Sequence, residues 1–364
     1  MIFEADYTVV KKALTTIQNL LTPTEANKNE SRMVQLHVKG EQVYISHQGK
    51  KGSQLEYHLN LMGANPIFDG SVLVDFQELN SAIKSFSKSS GTLLFERDGN
   101  EIRIDDGVYE PELILLPENS DVEREFFLKP PFEKVKVPTE WFSHRLELAR
   151  LNTKATFLPA TSEIALLSYP QSIQIRSFNL SNIYESTLTL ESPSPIKNEI
   201  FLLDKNAASR MAKLLKTTRA KTISLYWTSK ELFVYTSDFV FRFAGVQEPD
   251  SEELFKALPT AEMTQGVARR ILSLSELQGS IERCNTESFH LIPIGNQISI
   301  LTELPEDEVP EKTLSYSIKT LKKVLSKWMP TAELIVGTKE NCHALTLSHH
   351  DQQTEDWFIL MPCE

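Results

Sequence analysis

One supersecondary order occurs three times along this chain, and a repeat of that size constrains the fold more than composition does. The order is an amphipathic helix, alternating strands, a second amphipathic helix, then a hairpin leading into further strand. In "VLVDFQELNSAIKSFSKSSGTLLFERDGNEIRI" a strand ends at Asp75, a helix follows, and Asp98-Gly99 sits in a tight turn between two alternating runs. The order begins again at Asp204, 129 residues on, in "IFLLDKNAASRMAKLLKTTRAKTISLYWTSKELFVYT". A third copy, "TLSYSIKTLKKVLSKWMPTAELIVGTKENCHALTL", starts near Ser315, with Ser315 and Ser317 as alternative N-caps. The first helix of each unit recurs at Tyr7 to Leu21, Thr139 to Lys154 and Gln265 to Cys284. Three α+β units result. They are separated by two acidic, proline-containing stretches that read as linkers, "LPENSDVEREFFLKPPFEKVKVP" and "GVQEPDSEELFKALP". The expected limits are 1–130, 131–254 and 255–364.

Charge follows the same division. In "SIKTLKKVLSKW" Ile318, Leu321, Val324, Leu325 and Trp328 form one helical stripe, and Lys319, Lys322, Lys323 and Lys327 fall opposite it. The helix at Asp204 does the same, with Ala208, Met211, Leu214 and Leu215 against Lys205, Arg210, Lys213 and Lys216. One such helix is ordinarily a solvated face. Here all six helices are net positive, together +14, leaving −25 for the rest of a chain whose net charge is −11. Positive charge is segregated by element type, which weakens the reading of these faces as ordinary solvated ones without removing it.

Other classes find little support. At 364 residues, with 41% hydrophobic and 24% charged residues, the chain fits two or three soluble domains. No basic region precedes an apolar core near the N-terminus, and no apolar run reaches the roughly 20 residues of a membrane span, so a cytoplasmic protein is expected. Cys284, Cys342 and Cys363 are too few and scattered for a disulfide framework. His343, His349 and His350 near Cys342 are read as surface residues of a terminal hairpin, since adjacent strand residues face opposite ways. No phosphate-binding glycine loop, nucleophile elbow or zinc-protease motif occurs, so no catalytic residue, metal or cofactor is expected.

The chain resembles the bacterial DNA polymerase III β subunit, the β sliding clamp family, as a divergent member. The resemblance covers its length, the three similar units, and "SDFVFRFAGVQEPD…LFKALP" and the terminal "WFILMPCE" at the expected places. It implies three tandem domains of the DNA-clamp topology, with helices lining a hole and antiparallel sheets outside. Two chains would close head to tail, as a homodimer, around double-stranded DNA. Flexible cations attract phosphates without reading bases, which is what a sliding ring needs. The residues then expected to face DNA are Lys11, Lys12, Lys84, Lys88, Arg145, Arg150, Lys154, Lys205, Arg210, Lys213, Lys216, Arg269, Arg270, Lys319, Lys322, Lys323 and Lys327.

The resemblance also implies a hydrophobic cleft between the second and third domains, which captures short motifs of a DNA polymerase or clamp loader. Its positions map to Phe178, Leu180, Ile183, Pro249, Leu360, Met361, Pro362 and Cys363, together with Ile359 and the segment from Phe255 to Leu258. Here "FNLSNI", Phe178 to Ile183, replaces the family's Thr-Asp-Gly-His-Arg-Leu loop, and "PATSEIALL" replaces its Asn-Gly turn. An alternative keeps the fold and drops the ring: a clamp-like scaffold or clamp antagonist. An enzyme is a third class, without a motif to support it.

Overall fold

The computed structural model describes residues 1–20, 33–47, 55–87, 91–115, 134–154, 156, 158–179, 182–196, 199–246, 248–258, 268–284, 288–294, 297–301, 314–326, 333–338 and 345–360. Copy one of the repeat runs β1 (Ile2–Asp6), α1 (Tyr7–Leu20), β2 (Met33–Lys39), β3 (Gln42–His47), β4 (Leu55–Asn60), β5 (Asn65–Phe68), β6 (Gly70–Asp75), α2 (Phe76–Ser85), β7 (Thr92–Asp98), β8 (Glu101–Asp105) and β9 (Glu112–Ile114). Copy two runs β10 (Val135–Pro138), α3 (Thr139–Asn152), β11 (Glu163–Tyr169), β12 (Ser172–Phe178), β13 (Asn182–Thr189), β14 (Ile200–Asp204), α4 (Lys205–Thr217), β15 (Thr222–Trp227), β16 (Glu231–Tyr235) and β17 (Phe239–Ala244). After α5 (Pro249–Ala257), copy three runs β18 (Ala268–Ser273), α6 (Leu274–Glu282), β19 (Ser288–Ile294), β20 (Gln297–Leu301), β21 (Leu314–Ser317), α7 (Ile318–Leu325), β22 (Glu333–Thr338), β23 (Leu345–His350) and β24 (Thr354–Leu360).

The pairing repeats with the order. In each copy the first strand pairs antiparallel with the strand after the second helix: β1 with β7, β10 with β15, β18 with β22. The strand entering the second helix pairs with the strand leaving the first: β6 with β2, β14 with β11, β21 with β19. Successive copies join edge to edge, β4 to β17 and β13 to β24. The result is an α+β chain of antiparallel sheets.

Because each join runs through a copy, contacts group the chain into two compact units, Met1–Ser143 with Arg210–Gly245 and His144–Ser209 with Val246–Glu364. The first holds an eight-stranded sheet, β10-β15-β16-β17-β4-β3-β2-β6, and a five-stranded one, β5-β1-β7-β8-β9. The second holds β14-β11-β12-β13-β24-β23-β22-β18 and the three strands β20-β19-β21.

The last residue of a strand doubles as the helix N-cap. Asp75 Oδ1 accepts from the backbone N–H of Gln77 (2.7 Å) and Glu78 (3.2 Å), and Asp204 Oδ1 from those of Asn206 (2.7 Å) and Ala207 (3.0 Å). Ser317, rather than Ser315, caps α7 by accepting from Thr320 N–H at 3.3 Å. Behind the caps, Val10, Leu14 and Ile17 of α1 and Leu79 and Ile83 of α2 bury one helical face.

Three expectations need correction. The helix expected over Gln265 to Cys284 is the strand β18 followed by α6, because Ser273 and Glu276 form a reciprocal capping box that starts the helix at Leu274. The stretch that reads as the second linker contains a helix, α5, with proline in its first turn and Phe255 fully buried. The turn after β7 is Gly99-Asn100 instead of Asp98-Gly99, with Gly99 at φ +57° where a side chain would be strained. Among the described residues no helix is long and apolar enough to cross a membrane.

Candidate nucleic-acid interface

The basic helix faces form as the periodicity requires. In α7 Ile318, Leu321, Val324 and Leu325 are buried, while Lys319, Lys322 and Lys323 are exposed. In α4 Ala208, Met211, Leu214 and Leu215 are buried, Lys213 and Lys216 exposed, and Lys205 and Arg210 partly covered. Lys11, Lys12, Lys84 and Lys154 are exposed as well. Lys12, Lys84, Lys213, Lys319 and Lys322 have no ion-pair partner among the described residues, so their charge is available to solvent or a ligand.

Three of the cations converge within the second unit. Lys323 Nζ donates to the carbonyl of Leu151 and Lys205 Nζ to that of Thr153 at 3.3 Å, so two lysines from different helices satisfy the C-terminal end of α3. Arg150 lies in the same last turn. The Lys323 ammonium is held below its ordinary pKa first by burial, then by the charges of Lys205 and Arg150. Three like charges gathered in this way favour an anion between them, and a phosphodiester supplies one.

Arg145 leaves the set. It is 2% exposed, its Nε donates to Asp356 Oδ1 at 3.1 Å and its Nη2 to Asp356 Oδ2 at 2.5 Å. Burial is the largest single influence and opposes the guanidinium charge, but Asp356 together with Tyr184 and Asp351 holds the pKa above its ordinary value. Asp356 is the residue missed: it faces inward from β24, where the reading of "WFILMPCE" began one residue later. Arg269 and Arg270 also lose their helical setting, since they lie on β18, where their backbone alone is described. Lys88 and Lys327 lie outside the described residues.

The expected cleft residues come together only in part. Phe178, at the end of β12, is 6% exposed and meets Phe255 of α5 edge-on, ring centroids 5.2 Å apart. Both belong to a cluster with Ala160, Ala165, Leu167, Ile200 and Leu202, against which Ile183 and Leu258 pack. Arg176 Nη1 donates to the Phe255 carbonyl at 3.3 Å, and Arg176 itself pairs with Glu185 at 2.7 Å. Phe178 is therefore core rather than a free cleft wall. Ile359 and Leu360 are both core, 2% and 1% exposed, because each lies between β13 and β23. Pro249 opens α5, with only its backbone described, and Leu180, Met361, Pro362 and Cys363 fall outside the described residues. Among the described residues no group of three His, Cys, Asp or Glu side chains stands ready to hold a metal ion.

Comparison with known proteins separates sequence from fold. No family model and no curated protein matches the sequence. Solved structures match over the full length. The Helicobacter pylori β clamp in complex with 3,4-difluorobenzamide has a TM-score of 0.75 at 13% identity, covering 100% of both chains. The DNA polymerase III β chain of Streptococcus pneumoniae TIGR4 has a TM-score of 0.72 at 15% identity, covering 100% of this chain and 99% of that one. The Helicobacter pylori β clamp bound to a DNA ligase peptide has a TM-score of 0.73 at 13% identity, again over both whole chains. The chain has the fold of the bacterial DNA polymerase III β clamps.

Proposed function

We propose that this chain is a divergent β sliding clamp, three clamp domains at 1–130, 131–254 and 255–364, that encircles duplex DNA as a head-to-tail homodimer and tethers a polymerase or repair partner. The observation that carries the reading is the basic helix faces, on a fold shared with β clamps over its whole length. A ring of this kind holds DNA by topology and needs only a sequence-independent attraction. The residues proposed to face DNA are Lys11, Lys12, Lys84, Arg150, Lys154, Lys205, Arg210, Lys213, Lys216, Lys319, Lys322 and Lys323. A cytoplasmic, non-enzymatic role fits this reading.

Closure into a ring is supported by an unpaired edge. Within the chain, copies join through the fourth strand of one and the last strand of the next; β9 is the last strand of copy one and has no such neighbour among the described residues. Ile114 on it is 70% exposed, and Val108 and Tyr109 before it are 95% and 51% exposed. An apolar edge of this kind invites another strand. The binding of a DNA ligase peptide by the Helicobacter pylori clamp supports the capture of a partner's peptide here.

Mass in solution and retention on DNA test the reading. A dimer has about 83 kDa, twice 41.4 kDa. Protein loaded on nicked circular duplex is expected to stay on it and to run off after linearisation. A chain that remains monomeric at micromolar concentration in moderate salt sinks the ring and leaves the clamp-like scaffold.

A further inference from the structure

A groove of about 480 Å³ in the first unit shares only Lys12 with the assignments above. Its size lies within the range of sites that hold a ligand or a few side chains of a peptide. Val9 and Ala13 of α1, with Leu59, Met62 and Phe239, give it an apolar wall, and Met62 is 52% exposed. An uncovered thioether at the mouth of a groove is an adaptable surface for an apolar anchor.

The polar groups of the lining decide the sign of the partner's charge. Thr16 Oγ1 donates to the Lys12 carbonyl and Thr217 Oγ1 to that of Leu214, while Thr218 Oγ1 accepts from Ala220 N–H. The Asp238 carboxylate accepts from the Ser237 hydroxyl at 2.6 Å. Lys12 and Arg219 are both exposed, with no ion-pair partner among the described residues, and they outnumber the one carboxylate, Asp238. The groove therefore offers an apolar wall and a lining of net positive charge in an otherwise acidic chain.

We propose that this groove docks an extended acidic segment of a partner protein that inserts a bulky apolar side chain beside Met62 and pairs its carboxylates with Lys12 and Arg219. A phosphodiester backbone could use the two cations, but it would leave the apolar wall without a complement. The proposal does not depend on ring closure.

The test uses the full chain and an N-acetylated, C-amidated, fluorescein-labelled octapeptide with two central leucines flanked by aspartates. Arg219→Glu and Met62→Glu alter exposed positions and leave Lys12, which also belongs to the set proposed to face DNA, in place. Polarisation titrations are expected to show at least tenfold weaker binding to either variant, with thermal unfolding unchanged. Replacing the aspartates by lysines, or the leucines by serines, should abolish binding to the wild type. The proposal is overturned if the lysine peptide binds as well, if Met62→Glu leaves affinity unchanged, or if an oligothymidylate of equal charge displaces the peptide by a route that Arg219→Glu abolishes and Met62→Glu does not. Loss of DNA retention with intact peptide binding would bear on the clamp reading alone.

Discussion

Arg145 shows how a single side chain can leave the surface that its helix face predicts for it. Its guanidinium grips Asp356 with both side chains about 3% exposed, and Tyr184 donates its hydroxyl to the same carboxylate at 3.5 Å. Removing one partner of such a pair leaves a buried charge without compensation, so Asp356→Ala is expected to cost about 3–5 kcal/mol in denaturant unfolding. The double change Arg145→Met, Asp356→Leu should recover most of that loss and leave DNA retention intact, whereas Lys213, Lys319 and Lys322, all exposed, changed together to alanine should weaken retention without destabilising the fold. Equal retention in both would remove the interface assignment. Arg145 was hard to read because helical periodicity tells which face a residue shares, and a buried acid on a strand 211 positions away overrides that face. His37 and His58 give a pH dependence. They flank the Tyr44 ring, at centroid distances of 4.5 and 3.9 Å, and burial holds both near a pKa of about 4, His37 being further lowered by the charges of His58 and Lys39. Depressed histidines stay neutral in the fold while the unfolded chain takes up protons below about 6.5, so stability is full above that value and falls as pH drops from about 6.5 towards 4. The loss is at most about 1.4 kcal/mol per pH unit for each histidine. His58→Phe should roughly halve the slope of the melting temperature over that interval, and an unchanged slope would count against the pair.

Elements were legible where a cap coincided with a change of period. The aspartates at 75 and 204 end strands with apolar residues turned inward and start helices whose apolar stripe recurs every three or four residues, so both boundaries could be read directly. The miss at β18 came from "ARRILS", whose two arginines and two aliphatic residues satisfy a helical pattern as well as a strand's; the reciprocal Ser273–Glu276 box, visible in the sequence, was the better boundary. The miss at α5 came from reading two prolines as linker punctuation, although Pro249 followed by Asp250 and Glu252, with Lys256 in the last turn, is a helix signature. Phe255 then anchors that helix, and its truncation to alanine is expected to cost about 3–5 kcal/mol, since the ring fills a fully buried place against Phe178. A loss under about 1 kcal/mol in chemical denaturation would mean that the cluster closes over the gap and that α5 is held mainly through Arg176. The cap of α4 is a smaller matter: Asp204→Ala should cost about 1 kcal/mol and Asp204→Asn much less, read from the same unfolding curves.

At the scale of the molecule the repeat itself carries the last prediction. Two joins inside the chain pair the fourth strand of one copy with the last strand of the next, over five residue pairs at β4–β17 and seven at β13–β24. Repetition of the rule leaves the outer edge of β9 without a neighbour among the described residues, and the residues around it are among the most exposed large apolar side chains described, with Ile114 at 70% and Val108 at 95%. Ion pairs of Arg103 with Asp98 (2.8 Å) and Glu112 (3.3 Å) occupy the polar side chains nearby, so the apolar side chains are what a second strand would cover. If the proposed ring forms, Ile114→Glu places a charge where an apolar contact is buried on association, at a cost of several kcal/mol of dimer stability. In the single chain the same residue faces water, so the substitution should leave the melting of the monomer within about 0.5 kcal/mol. Sedimentation equilibrium separates the two effects. The wild type is expected near 83 kDa and the variant near 41.4 kDa at low micromolar concentration, with retention on circular DNA lost in parallel. A variant that stays dimeric places the junction elsewhere, and a wild type that is already monomeric leaves β9 as an edge for a different protein.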